Sequence, residues 1–148
     1  MEQEWAGKDT HICYMMLIKI DGYMSGFRFD PAEPGLRKIL REYEELALRY
    51  MWEVGEDGAK SRFVWERVNE DLGEGKSISR ASIINSMNRL VDQGILGYRD
   101  ATGKGGIHRI YYPLMDESGC ATYLVKMRVE SMKRDFPEAS RVVLEEFA

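Results

Sequence analysis

Between Ser79 and Gln93 the apolar residues Ile83, Ile84, Met87, Leu90 and Val91 recur at intervals of three and four, and strand-like runs follow at once. The spacing predicts an amphipathic helix with one face on a core, begun by Ser79 as N-cap and ended by Gly94. Ile95, Leu96 and Tyr98, then Ile107, Ile110, Tyr111 and Tyr112, make two short β-prone runs. Between them lies the glycine-dense turn Asp100 to Gly106, with Lys104 at its tip. A helix running straight into a two-stranded ribbon with a basic tip is the strongest constraint in the chain.

At about 100° per residue, Ser82, Asn85 and Arg89 face away from the apolar stripe, with Ser86 nearer its edge and Arg80 beside them in the first turn. Solvated helix faces are usually rich in Glu and Lys. Hydroxyls, amides and arginines are instead the groups that hydrogen-bond base edges and phosphates. Residues 77–112 hold Arg80, Arg89, Arg99, Lys104 and Arg109 against Asp92 and Asp100, a local charge of +3 in a chain of net charge −4. Charges beyond a screening length of about 8 to 10 Å are largely damped at cellular salt, so the local patch governs an encounter with phosphate.

The run from Ser79 to Leu96, with Trp52-Glu-Val-Gly upstream and Tyr111-Tyr-Pro-Leu114 downstream, resembles the winged helix-turn-helix repressors of the penicillinase-repressor type and, more distantly, MarR-type regulators. The likeness spans residues 36–136 and is strongest in Asn-Arg-Leu-Val-x-x-Gly-Ile-Leu, residues 88–96. The resemblance implies a mainly α fold with a small antiparallel β-wing (α+β) and a C-terminal dimerisation helix. It also implies a transcriptional regulator, a repressor, that binds a pseudo-palindromic operator in double-stranded DNA as a homodimer. DNA contacts would come from Arg80, Ser82, Asn85, Ser86 and Arg89 on the helix and from Arg99, Lys104 and Arg109 on the wing. No cofactor is implied, and no residue identifies a small-molecule or protein effector.

The remaining chain reads as scaffold. Residues 1–33 form an N-terminal extension in which two β-prone runs flank Asp21-Gly22, a tight-turn signal, so the segment reads either as an appended hairpin or as a poorly structured extension. In the DNA-binding segment, 34–114, Leu36, Ile39, Leu40, Tyr43, Leu46, Ala47, Tyr50 and Met51 keep helical spacing until Gly55-Glu-Asp-Gly58. Ser61 to Leu72 is a second helix that props the next one into a DNA groove. In the dimerisation segment, 115–148, a helix from Asp116 to Phe136 carries two apolar stripes. Cys120, Tyr123, Leu124 and Met127 form one. Val125, Val129, Met132 and Phe136 form the other, which needs a further partner: the N-terminal segment, the helix Ser140 to Phe147 or a second subunit. The resemblance favours the second subunit.

An apolar share of 44% with 31% charged residues is ordinary for one globular domain. Cys13 and Cys120 make no C-x-x-C pair, which fits a reducing, cytoplasmic setting, and with His11 and His108 they lack zinc spacing, so no metal is expected. Met-Glu-Gln-Glu is no basic leader, and Ile12 to Ile18 falls short of the roughly 20 residues that span a bilayer. Gly103-Lys-Gly-Gly106 lacks the P-loop pattern, and no set of nucleophile, base and orienting group is evident, so catalysis is not expected. The competing expectation is a winged helix used for protein contact without direct DNA binding, which would suit the acidic total.

Overall fold

The computed structural model describes residues 28–148 of the chain. The choice between a hairpin at Asp21-Gly22 and a poorly structured extension therefore falls outside the described residues. Within them the fold is mainly helical with one small three-stranded antiparallel sheet, in two compact units, residues 28–122 and 123–148.

Helical spacing from Leu36 predicted one helix of about four turns, but the chain makes a 3-10 turn at Gly35–Lys38 and starts α1, Glu42–Val54, afresh. Arg41 is the cause. Its backbone is extended, and its N–H donates to the Glu44 carboxylate at 2.8 Å, which creates a separate helix start. From α1, Ala47, Leu48 and Met51 are fully buried. The chain then passes through the two-residue strand β1, Ala59–Lys60, into α2, Ser61–Asp71, whose Val64 and Val68 are buried.

The connection from α2 to α3, Arg80–Asp92, is long but anchored. Trp65 Nε1 donates to the Ile78 carbonyl at 2.9 Å, and the Asn69 amide both receives the Ile78 N–H at 2.9 Å and donates to the Trp65 carbonyl at 2.8 Å. These bonds fix where α3 begins. Ser79 caps it by accepting the Ser82 N–H at 3.1 Å, and Gly94, at φ 77°, ends it in the left-handed region that favours glycine.

The hairpin β2, Leu96–Gly103, and β3, Gly106–Pro113, pairs from Leu96 opposite Pro113 to Gly103 opposite Gly106. The turn is therefore only Lys104-Gly105. The expected turn over residues 100–106 is narrower because Asp100, Ala101 and Thr102 pair with Arg109, His108 and Ile107. β1 adds to the other edge of β3, with Ala59 opposite Tyr111 and Lys60 opposite Ile110, in sheet order β1-β3-β2. Only glycine fits just before β1. At Gly58 (φ 73°) a Cβ would lie 2.5 Å from the Tyr111 carbonyl oxygen and 2.8 Å from Ile110 Cγ2.

Ile83, Met87 and Leu90 of α3, Ile95, Leu96 and Tyr111 complete the core of the first unit with α1 and α2. Each fully buried Leu, Ile or Met contributes about 1.5 to 3 kcal/mol, so the stripe that patterns α3 also fixes its roll. Trp52 Nε1 donates to the Met115 carbonyl at 2.9 Å, tying α1 to the segment leading into α4, Glu117–Asp135.

In the second unit α4 continues to Asp135 and α5 covers Pro137–Phe147, with the proline in the first helical turn where its missing N–H costs nothing. The two expected stripes of α4 differ in burial. Cys120, Leu124 and Met127 are buried and Tyr123 is half-buried, whereas Val125 (61%), Met132 (57%) and Phe136 (59%) are exposed and Val129 is half-buried. On α5, Val142, Val143, Leu144 and Phe147 are also exposed. Among the described residues no helix is long and apolar enough to cross a membrane.

Candidate functional site

The burial of Ile83, Ser86, Met87 and Leu90 sets the inward side of α3, while Ile84 and Val91 flank it half-exposed. The opposite side therefore carries Ala81, Asn85, Asn88 and Asp92. This rolls the helix away from the orientation expected from apolar spacing alone. Ser86 is in the core at 1% exposure, and Arg89 reaches sideways to the Glu44 carboxylate of α1.

Beside α3 lies a polar groove of about 480 Å³, bounded by the start of α2, the flank of α3 and the hairpin. Lys60, Arg62, Arg80, Lys104 and Arg109 line it, and no carboxylate does. Its position follows from the sheet. β1 pairs with β3, so Lys60 and the N-terminus of α2 are brought alongside Arg109. That N-terminus has no side-chain cap and no acidic residue in its first turn, and it is flanked instead by Lys60 and Arg62. Cations beside the positive end of a helix dipole are unfavourable until an anion arrives. Arg62 is partly offset by Glu66 at 2.9 Å, while among the described residues Lys60, Arg80 and Lys104 have no ion-pair partner.

One hydrogen-bond cluster closes the groove's inner wall. Asn88 Oδ1 accepts from Arg109 Nη1 at 3.0 Å and from the Tyr111 hydroxyl at 2.7 Å. The Arg109 guanidinium also lies 4.0 Å above the Tyr98 ring, a cation–π contact. Burial raises the Tyr111 phenol above its ordinary range, with Arg109 opposing in part, so at neutral pH the hydroxyl keeps its proton and donates.

No protein-family model matches the chain, and no curated protein matches it.

The expected contact residues thus divide. Arg80, Lys104 and Arg109 meet in the groove, and Asn85 is exposed on the outward side of α3. Ser82 is half-buried, with its hydroxyl 2.8 Å from that of Ser79, in the cap of the helix. Ser86 lies in the core at 1% exposure, and Arg89 lies in an interhelical ion pair with Glu44. Arg99 lies apart from the groove. It occupies the position next to Asp100, whose cross-strand neighbour is Arg109, so strand alternation sends it to the other face of the hairpin. There it donates to the Glu56 and Asp57 carbonyls and lies over the Tyr112 ring.

Sequence reading missed Lys60, Arg62 and Asn88. Two cations at a helix start, against the dipole, were the available signal for the first pair. Asn88 was legible as the residue one turn beyond Ile84 and two beyond Arg80, all three of which line the groove. The surface is rich in N–H donors and suits a polyanion. Among the described residues no group of three or more His, Cys, Asp or Glu side chains is placed to hold a metal ion. A separate apolar groove of about 370 Å³ lies in the second unit, lined by Val129, Met132 and Phe136 of α4 and by Val143 and Leu144 of α5.

Proposed function

We propose that this chain is a sequence-specific, double-stranded DNA-binding transcriptional regulator of winged helix-turn-helix type, acting as a repressor in the cytoplasm and as a homodimer on a pseudo-palindromic operator. The observation that carries the proposal is the groove itself, with five cations and no carboxylate on a protein whose net charge is −4. The order helix, short strand, helix, helix and hairpin supports the winged reading. α3 enters the major groove with Arg80, Asn85 and Asn88 nearest the bases, α2 approaches the backbone with its uncapped N-terminus, and Lys104 at the hairpin tip steadies the complex on phosphate.

The stripe Val125, Val129, Met132 and Phe136, exposed except at the half-buried Val129, supports dimerisation as a second apolar side on a helix that has already buried Leu124 and Met127. In such a dimer the two α3 helices stand about 34 Å apart, one DNA turn, or a multiple of it.

The alternative, a protein-contact module without DNA binding, is favoured by the acidic charge outside residues 77–112. Fluorescence anisotropy on a labelled random duplex at about 50 mM salt separates the two readings. The natural chain binds, and a Lys60/Arg80/Lys104 triple-alanine variant with unchanged circular dichroism does not. Absence of binding by the natural chain favours the protein-contact module.

A further inference from the structure

Asn88 is held by the hairpin in a way that limits what its amide can offer. An asparagine side chain has one accepting oxygen with two lone-pair directions and one donating NH2 group. Here the oxygen already receives two hydrogen bonds, from Arg109 and from Tyr111. Arg109 carries donors only, so a flipped amide would set NH2 against guanidinium N–H; the neighbouring chemistry fixes which end faces β3. Packing of Arg109 on the Tyr98 ring holds that arrangement from behind. The NH2 end is left to the groove, which Asn88 lines, on the outward side of α3 beside Asn85.

We infer that Asn88 is a donor-only reader of a base edge, selecting guanine at one position of each half-site and disfavouring cytosine. The inference rests on the DNA-binding proposal and specifies its selectivity. In the major groove guanine presents two acceptors, N7 and O6, thymine one, adenine an acceptor beside a donor, and cytosine a donor. A free asparagine pairs with adenine by donating to N7 and accepting from N6. Asn88 has no acceptor left for N6. Asn85, exposed and without a hydrogen-bond partner among the described residues, keeps both capacities, so the two asparagines of one helix face are not equivalent readers.

The test is selection of binding sites from a randomised duplex pool by the natural chain and by Asn88→Asp. Aspartate keeps oxygen acceptors for Arg109 and Tyr111, so the hairpin stays docked, but it replaces the NH2 donor with an acceptor. The natural chain is expected to select guanine at one position per half-site. The variant is expected to lose that choice, to accept cytosine there, and to bind the natural site about 5- to 150-fold more weakly. Preferences at the other positions should stay the same.

A second measurement does not depend on the variant folding. Replacing the selected guanine by 7-deazaguanine, which lacks the N7 acceptor, weakens the natural chain. The inference is overturned if both proteins select the same base at every position, if 7-deazaguanine binds as well as guanine, or if no position selects guanine. If the natural chain binds no duplex at all, the DNA-binding proposal fails and the inference falls with it.

Discussion

Arg89 on α3 donates to the carboxylate of Glu44 on α1, a side chain only 4% exposed, while the other Glu44 oxygen receives the Arg41 N–H that starts α1. One carboxylate thereby sets both the beginning of α1 and the roll of α3. Arg89→Ala would leave a buried charge with one partner fewer. The expected loss is about 2 to 4 kcal/mol, at or below the usual range for breaking a buried pair because Arg89 itself is 29% exposed. Urea denaturation measures it. Adding Glu44→Gln, which removes the stranded charge, should recover part of the loss. Undiminished stability with altered base selectivity would return Arg89 to the DNA-reading role first expected of it.

Helix α3, its Ser79 cap, its Gly94 stop and the two strands were legible because each depends on residues within a few positions of one another. The roll of α3 was not. Ser86 looks marginal and Arg89 outward on a wheel, and the partner that draws Arg89 aside, Glu44, lies 45 positions earlier. The same reason hid the groove's outer wall. Ala59-Lys60 is too short for any periodic signal and becomes a strand only by pairing with Tyr111 and Ile110, and that pairing carries Lys60 and Arg62 to the site. Arg99 and Arg109 are alike in composition, and strand register alone sends them to opposite faces.

Gly58→Ala should destabilise the protein by about 2 kcal/mol or more. The new Cβ would meet the β3 backbone at 2.5 Å, at a positive φ that alanine resists. Because β1 holds Lys60 beside β3, DNA affinity should fall as well, even at temperatures where the variant remains folded. Thermal melting followed by anisotropy on the folded fraction checks both effects. Unchanged melting would contradict the close approach at Gly58.

Lys104→Ala should leave stability within about 0.5 kcal/mol, as the side chain is exposed and without an ion-pair partner. Its effect should appear in binding instead, as a similar weakening on all sequences and a salt slope lower by roughly one unit per wing. Titration of matched specific and random duplexes distinguishes this from base reading, which would weaken only the specific one.

Burial pushes the Cys120 thiol from its ordinary 9.0 up to about 11, with Glu117 adding to the shift. A folded pKa above the unfolded one gives stability that is complete below pH about 9 and is lost as pH rises through about 11. Cys120→Ala should remove this part of the alkaline decline, seen by comparing denaturation midpoints of the two proteins from pH 8 to about 10.5. In a Cys13→Ser background, a thiol reagent at neutral pH should label Cys120 only after unfolding. Rapid labelling of the folded chain would contradict its burial.

Val129→Asp or Met132→Asp places a charge on the second stripe of α4, half-buried at Val129 and exposed at Met132, and leaves Leu124 and Met127 unchanged. Sedimentation equilibrium should report monomers, with operator affinity lost. A folded variant that remains dimeric would move the interface elsewhere.

The central claim, that the groove between α2, α3 and the hairpin binds DNA phosphates, is tested most directly by the salt dependence of duplex binding between about 50 and 200 mM. A dimer making roughly six to ten phosphate contacts should lose on the order of a thousandfold in affinity over that range. Binding that is absent at the lower salt, or that scarcely changes across the range, would contradict it.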